Sequence, residues 1–321
     1  MIKNLVISGG AMRGFCFIGS IQYLEEKHII QNIQTFTGTS IGGCLALLLN
    51  LNYSSKELID IFININLEKY RDINIENILN FFENYGIDDG NRILHIFKIL
   101  LMAKLNILNK KYNESITFNQ LFNLTQKKLT IIGCCLNDME AIYYNYETYP
   151  NMKILDALRI TFSIPFIFKP ITIKNKIYVD GGLLNNYPIE LYDKKTTLGL
   201  VSTSINIYNK NIENIEDFFT SVVFITYYNL LKTKIKDYAS NTINIEYDVN
   251  SFDFELSKEE KRNLITYGYD KTKLIYNTLF KEEPIEEKEE KEPIETKEEP
   301  IETKKESIET KKESIEEEKE S

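Results

Sequence analysis

The chain has 321 residues, of which 43% are hydrophobic and 26% are charged, so it is long and apolar enough to bury a large core. Its net charge of −9 lies entirely in residues 281–321, which hold nine Lys and eighteen Glu, and the first 280 residues are neutral with 29 basic and 29 acidic side chains. A nucleic-acid-binding domain normally carries a basic surplus, so this balance argues against that class of function.

Two strand–turn–helix units open the chain. Residues 5–8 are typical of a short strand, residues 9–14 of a glycine-rich turn, and the apolar residues that follow recur at helical spacing. The second unit has a strand at 33–37, a turn at 38–42 and an apolar helix that continues to residue 51. This repetition predicts an α/β fold with a mostly parallel central sheet.

The remaining predicted elements continue this alternation. Ser54 and Glu57 form a capping box before another helix, and residues 56–128 are predicted to be mostly helical. Further elements are predicted as strands at 129–136, 140–149, 176–179 and 197–204, and helices at 92–108, 153–162, 215–236 and 258–280.

The C-terminal residues form a separate segment. Residues 281–321 repeat every seven positions, but each repeat offers one Ile, whereas a coiled coil needs two apolar positions per heptad. Pro284, Pro293 and Pro300 also interrupt any helix. We therefore predict a folded domain at 1–280 and a disordered, solvated tail at 281–321, with a partner-binding role for the tail as the alternative.

No stretch of the sequence approaches the roughly 18 uninterrupted apolar residues of a membrane-spanning helix. Gly9, Gly10 and Arg13 interrupt the N-terminal apolar run where the core of a signal peptide would be continuous. We expect a cytoplasmic enzyme that contacts membranes only peripherally.

The cysteines do not form a pattern typical of a zinc site, because they lie in apolar runs without a CxxC pair or a neighbouring His. Buried, reduced thiols are predicted at Cys16, Cys44, Cys134 and Cys135. We expect no metal and no cofactor.

The turn at 38–42 is a GxSxG sequence, Gly-Thr-Ser-Ile-Gly, placed between a predicted strand and a predicted helix. A nucleophile elbow needs this placement, since the serine must project from a tight turn at a helix N-terminus and Gly38 and Gly42 leave room for the backbone. The helix dipole also favours negative charge that develops near Ser40. The pattern predicts Ser40 as a nucleophile, with a simple tight turn as the alternative.

A serine nucleophile needs a base, and the usual imidazole has no good candidate here. His28 follows the first helix among charged residues, and His95 lies in the helix at 92–108 with no acidic residue patterned to orient it. Asp180 is the better candidate, because it ends a predicted strand and is followed by Gly181 and Gly182. Its carboxylate would lie at the carboxyl edge of the sheet, where α/β sites are built.

The turn at 9–14, Gly-Gly-Ala-Met-Arg-Gly, ends a strand and begins a helix, so its backbone N–H groups could bind an oxyanion. It is not a dinucleotide fingerprint, because Ala11 occupies the middle glycine, and no GK[ST] follows as in a P-loop. Arg13 is a cation near a helix start, which fits either a structural salt bridge or a phosphate or oxyanion role.

Together these motifs resemble the patatin-like phospholipase family. The four that carry the resemblance occur in the family's order through residues 5–191: the glycine-rich turn 9–14, the GxSxG at 38–42, the helix-to-proline segment 156–165, and Asp-Gly-Gly followed by Asn-x-Pro at 180–188. Residues 192–280 are only loosely similar.

The resemblance implies a three-layer α/β/α fold and a Ser40–Asp180 dyad that hydrolyses acyl esters of lipids without a metal. It also implies an oxyanion hole in the turn of Gly9, Gly10, Ala11, Arg13 and Gly14, with the N–H groups of Gly10 and Ala11 as donors. The family usually has glycine where this chain has Ala11, and a positive φ there would strain the methyl group by about 1 kcal/mol.

Through this resemblance, a lipid or phospholipid acyl hydrolase is the favoured function. The alternatives that remain open are a thioesterase or general esterase, a catalytically silent lipid-binding or scaffold protein of the same fold, and an adaptor that works through its tail. Headgroup, chain length and position of cleavage depend on the shape of the pocket, which the sequence does not reveal.

Overall fold

A central sheet organises the protein, and helices cover both of its faces. The computed structural model describes residues 1–73, 75–204, 212–213, 215–248 and 254–280. The predicted tail, 281–321, lies outside the described residues.

The strands of the described residues are β1 (Asn4–Ile7), β2 (Thr35–Thr39), β3 (Gly86–Asp88), β4 (Lys128–Cys135), β5 (Glu140–Tyr144), β6 (Phe166–Phe168), β7 (Ile171–Ile173), β8 (Lys176–Asp180), β9 (Thr197–Thr203) and β10 (Thr242–Glu246). The α-helices are α1 (Gly14–Glu26), α2 (Ile41–Asn50), α3 (Ser55–Asn64), α4 (Ile75–Leu79), α5 (Phe81–Asn84), α6 (Asn91–Leu108), α7 (Phe118–Thr125), α8 (Ile154–Thr161), α9 (Gly182–Asn185), α10 (Ile215–Asp237) and α11 (Lys258–Leu279).

The main sheet has a parallel part and an antiparallel part. Strands β10, β9, β1, β2 and β4 lie side by side in this order and are parallel. Strands β5 and β8 run antiparallel to β4, and β7 pairs antiparallel with β8. Strands β3 and β6 form a separate parallel pair. The prediction of an α/β fold with a mostly parallel central sheet is confirmed.

The sheet separates two hydrophobic cores, because successive side chains of a strand point to opposite faces. In β1, Leu5 and Ile7 belong to a large core that α1, α2, α3, α6, α8 and α11 help to form. Val6 belongs to a smaller core with Tyr187 and with Leu231 of α10. Helices therefore pack on both faces, which gives the expected three layers.

Two predicted helix starts are confirmed in atomic detail. The Ser54 hydroxyl accepts the Glu57 N–H while the Glu57 carboxylate accepts the Ser54 N–H, and Ser257 and Glu260 form the same reciprocal pair before α11. Each pair satisfies two backbone donors that a helix N-terminus would otherwise leave free.

Several boundaries differ from the predictions. The region predicted as mostly helical, 56–128, contains β3. The strand predicted at 140–149 ends at Tyr144, because the Asn145 side chain accepts the N–H groups of Glu147 and Thr148 and forms a turn. Strands β6, β7 and β10 were not predicted.

No helix in the part of the chain that the structure describes is long and apolar enough to cross a membrane. The four cysteines are buried free thiols, as predicted.

Candidate active site

Two strands that run in opposite directions end against one edge of β4. The last residue of β2, Thr39, pairs with Ile132, and the last residue of β8, Asp180, pairs with Gly133. Because β5 lies along the other edge of β4 at these positions, the ends of β2 and β8 face each other. Ser40, which follows Thr39, is therefore brought beside Asp180.

Ser40 lies in a strained turn between β2 and α2. Its φ of 55° and ψ of −127° are unusual for a residue with a side chain, and its side chain does not cap the helix. The turn is tight enough that a β-carbon at Gly38 would clash with the Gly42 carbonyl group, and one at Gly42 would clash with the Ile7 carbonyl oxygen. This is the geometry that a nucleophile elbow requires.

The end of α8 and the residues just after it contact both candidate residues. The Ser40 N–H donates to the Thr161 hydroxyl at 2.9 Å, and that hydroxyl donates to the Ile132 carbonyl at 2.5 Å. Two residues later, the Ser163 carbonyl accepts the Asp180 N–H at 2.9 Å. The helix-to-proline segment of the sequence thus supports the backbone of Ser40 and of Asp180.

Asp180 is fully buried, and its two carboxylate oxygens differ in their contacts. Oδ1 accepts the Gly182 N–H at 2.7 Å, whereas Oδ2 has no hydrogen-bond partner of ordinary length and angle among the described residues. The Ser40 and Tyr227 hydroxyls nevertheless lie near enough to favour the ionised carboxylate, so these contacts are looser than ordinary hydrogen bonds. Such contacts commonly tighten only when substrate binds.

Burial is the main influence on the pKa of the Asp180 carboxyl. Removal from water raises the pKa of its carboxyl to about 7, and hydrogen bonding from the Gly182 N–H and from the Ser40 and Tyr227 hydroxyls limits the rise. A carboxylate with this pKa can exchange a proton with a hydroxyl near neutral pH far better than an ordinary aspartate.

Tyr227 of α10 was not predicted as a site residue. Its ring lies against the start of α9, since a β-carbon at Gly182 would stand 2.6 Å from Cζ and 2.9 Å from Oη of Tyr227. Burial raises the pKa of this phenol well above its usual value, and the neighbouring Asp180 charge raises it further. The phenol is therefore a hydrogen-bond donor beside the carboxylate.

The turn between β1 and α1 lies next to Ser40. A β-carbon at Gly9 would come 3.3 Å from Ser40 Cβ and would clash with Asn186 Oδ1. The Gly9 N–H donates to the Asn186 carbonyl at 3.2 Å, and the Ser8 hydroxyl donates to the Gly9 carbonyl at 2.9 Å. Asn186, from the Asn-x-Pro sequence, therefore fixes this turn beside the nucleophile.

Gly10 and Ala11 have the backbone groups that an oxyanion hole needs. Neither N–H donates a hydrogen bond within the described residues. Ala11 has a φ of 46°, so the strain anticipated for a methyl group at this position is present, while the N–H is retained.

Arg13 and Gly14 follow at the start of α1. Burial lowers the pKa of the Arg13 guanidinium to about 10, and the Cys16 and Asp248 side chains favour its charged form. Arg13 Nε is buried and has no hydrogen-bond partner in the described part of the chain. Gly14 packs against Ile41, the first residue of α2. Arg13 therefore remains a cation at neutral pH, and it belongs to the turn that packs against the first residue of α2.

The remaining residues considered in the sequence analysis are the glycines after Asp180 and the two histidines. Gly181 and Gly182 follow Asp180 directly, Gly182 is the first residue of α9, and Gly181 packs against Ile132 of β4. His28 and His95 are exposed, unlike Ser40 and Asp180. Among the described residues, no group of three His, Cys, Asp or Glu side chains is arranged to hold a metal ion.

Residues 5–192 match the family model described as patatin-like phospholipase. The chain is 33% identical over 221 residues to "Probable lipid hydrolase 463L" of Invertebrate iridescent virus 6, an alignment that covers 65% of this chain and 73% of the viral protein.

Two solved structures share the fold. VipD from Legionella pneumophila aligns with a TM-score of 0.55 at 18% identity, over 86% of this chain and 67% of VipD. The type III effector ExoU aligns with a TM-score of 0.51 at 13% identity, over 87% of this chain and 53% of ExoU.

Proposed function

This chain belongs to the patatin-like phospholipase family, and on that premise we propose that it is a lipid acyl hydrolase with Ser40 as nucleophile and Asp180 as base. The observation that carries the proposal is the meeting of β2 and β8 at Ile132 and Gly133 of β4. It gives one alcohol a buried carboxylate as its neighbour, and both histidines are exposed elsewhere.

The first half of the reaction forms an acyl-enzyme. Ser40 Oγ attacks the carbonyl carbon of a fatty-acyl ester while its proton passes to Asp180. The tetrahedral intermediate then collapses, the bond to the leaving alcohol breaks, and Asp180 returns the proton to the leaving oxygen. A pKa of about 7 suits Asp180 for both transfers at neutral pH.

Water completes the cycle. Asp180 takes a proton from a water molecule as the water oxygen attacks the acyl carbon, and the fatty acid leaves as Ser40 Oγ regains a proton. The same carboxylate therefore acts twice, so no second base is required.

Negative charge on the intermediate is stabilised by the turn beside Ser40. The N–H groups of Gly10 and Ala11 are available as donors, and the N-terminus of α2 and the Arg13 cation add positive potential. Removal of one such donor typically costs about 10²-fold or more in kcat.

We further propose that residues 1–280 form the catalytic domain, that 281–321 are an accessory tail, and that the protein meets its lipid or phospholipid substrate as a peripheral protein at a membrane surface. A chain truncated after Phe280 should hydrolyse ester at the full-length rate. Loss of activity on truncation would instead place part of the working machinery in the tail.

The decisive experiment compares turnover of a phospholipid mixture by the wild type, Ser40→Ala and Asp180→Asn, followed by mass spectrometry, with a fluorophosphonate probe that labels activated serines. We expect labelling and fatty-acid release from the wild type only. Equal turnover by all three proteins would exclude Ser40 and Asp180 as the catalytic residues. If the wild type binds lipid but shows neither labelling nor turnover, the protein is a catalytically silent scaffold. If it hydrolyses only thioesters or short esters, the thioesterase or general esterase alternative is supported.

A further inference from the structure

Two buried polar atoms beside the candidate nucleophile have no ordinary hydrogen-bond partner among the described residues: Asp180 Oδ2 and Tyr227 Oη. Buried polar atoms are almost always hydrogen-bonded, because an unpaired one loses its water without compensation. A carboxylate oxygen accepts hydrogen bonds and a phenol hydroxyl donates one, so the two atoms are chemically complementary.

The contacts of Gly182 place the two groups close together. Its N–H is 2.7 Å from Asp180 Oδ1, and the position of a β-carbon on the same residue is 2.9 Å from Tyr227 Oη. The absence of a side chain at Gly182 thus leaves the space that the phenol occupies, and any larger residue would displace it. Glycine is therefore required at position 182, because the Tyr227 ring occupies the space of a side chain.

The helix that carries Tyr227 is fixed against the same part of the protein. Val223, Tyr227, Leu231 and Lys234 are spaced to lie along one side of α10, and the first three are buried. Lys234 forms an ion pair with Glu190 at 2.8 Å and donates to Asn185 Oδ1 of α9 at 2.5 Å. The buried side of α10 and the polar contacts of Lys234 thus hold the phenol beside Asp180.

We propose that Tyr227 is a positioning residue whose O–H donates to Asp180 Oδ2, keeping the base ionised and its second oxygen directed toward Ser40. This inference rests on the proposed function, because it assigns Tyr227 a role only through Asp180. The phenol keeps its own proton throughout the cycle. Consistent with this, Tyr227 favours the ionised form of Asp180, and burial keeps the phenol protonated.

The test is the pH dependence of kcat/KM for p-nitrophenyl butyrate in Tyr227→Phe, which removes only the hydroxyl. Loss of a hydrogen bond to a charged group should raise the pH of half-maximal activity by about one unit. The variant should then be about tenfold slower than the wild type at pH 6 and within about twofold at pH 9. The matched control is Tyr238→Phe, which removes a phenol hydroxyl just after α10, where the ring contacts Lys194 at 4.4 Å.

An unchanged profile, or a loss of equal size at every pH, would overturn the inference, because a residue that only fills space has no reason to move a titration. If Tyr227→Phe fails to fold, 3,5-difluorotyrosine at position 227 replaces it, since its more acidic phenol is a stronger donor. We then expect the profile to move to lower pH, and no movement would overturn the inference. Activity that survives in Ser40→Ala or Asp180→Asn would instead mean that the proposed function has failed.

Discussion

The Ser40 N–H donates to the Thr161 hydroxyl at 2.9 Å, so a residue 121 positions away fixes the backbone of the proposed nucleophile. Thr161 is fully buried, and its hydroxyl continues to the Ile132 carbonyl, next to the position on β4 where Asp180 pairs. The Thr161 side chain thus connects the turn at Ser40 to β4, next to the residue with which Asp180 pairs.

Replacing Thr161 by Val should weaken both the fold and the reaction. The isosteric change leaves the Ser40 N–H and the Ile132 carbonyl unpaired in the interior, which we expect to lower the free energy of unfolding by about 1–3 kcal/mol. Displacement of Ser40 should also reduce kcat/KM by about tenfold or more. Thr161→Ser retains the hydroxyl and is the control for urea unfolding and ester hydrolysis. Equal behaviour of the two variants would contradict this role.

The first strand–turn–helix units could be predicted because their signals are local. Gly38, Gly42 and the apolar run after Ser40 are adjacent in the sequence, and they form the tight turn between a strand and a helix that their spacing indicates. The capping box at Ser54 is equally local and was predicted to the residue.

The direction of β8 in the sheet could not be predicted from signals that are adjacent in the sequence. Whether Asp180 approaches Ser40 from a parallel or an antiparallel strand depends on pairing with Gly133, a residue 47 positions earlier in the chain. Strands β6 and β7 have three residues each, which is too short for an alternating pattern to be recognised. Tyr227 was missed because apolar residues occur on several sides of α10, so its sequence does not indicate which side is buried.

Catalysis should depend on a single ionisation near neutral pH. In the proposed mechanism Asp180 must be ionised to accept the Ser40 proton. Because its pKa is raised to about 7, kcat/KM should rise about tenfold per pH unit below 7 and level off above it. Hydrolysis of p-nitrophenyl butyrate between pH 5 and 9 measures this.

An imidazole could produce a similar profile, because histidine also titrates in this range. The double variant His28→Gln, His95→Gln separates the two explanations, and we expect it to keep the wild-type profile because both residues are exposed. A profile that loses its acid limb in this variant would identify a histidine as the titrating group.

The same carboxyl should make stability depend on pH. Because burial raises its pKa in the folded state, the folded protein binds a proton at Asp180 more tightly than the unfolded chain does. The stabilisation that proton binding at Asp180 gives to the folded state is therefore fully present below about pH 4. It is lost as the pH rises through about 7. Asp180→Asn removes the charge, so it should be more stable than the wild type at pH 8, by up to about 4 kcal/mol, with little difference at pH 4.

Urea unfolding at pH 4, 6 and 8 measures this difference. Asp60→Asn is the control, because it makes the same replacement at an exposed position on α3. A constant difference between Asp180→Asn and the wild type at all three pH values would mean that the buried carboxyl is not the cause.

The strain at Ser40 should be measurable separately from the chemistry. Ser40→Ala keeps a β-carbon at φ 55° and ψ −127°, whereas Ser40→Gly removes it, and both variants lose the nucleophile. The glycine variant relieves strain of about 1–3 kcal/mol, which should exceed the free-energy cost of the entropy that glycine adds to the unfolded chain. The free energy of unfolding of Ser40→Gly should therefore be about 1 kcal/mol higher than that of Ser40→Ala. The control is Ala46→Gly within α2, where the backbone is helical and the same replacement should destabilise the protein by about 1 kcal/mol or more. If glycine lowers stability at both positions, the elbow stores no strain, and the projection of Ser40 Oγ toward substrate must come from the surrounding packing alone.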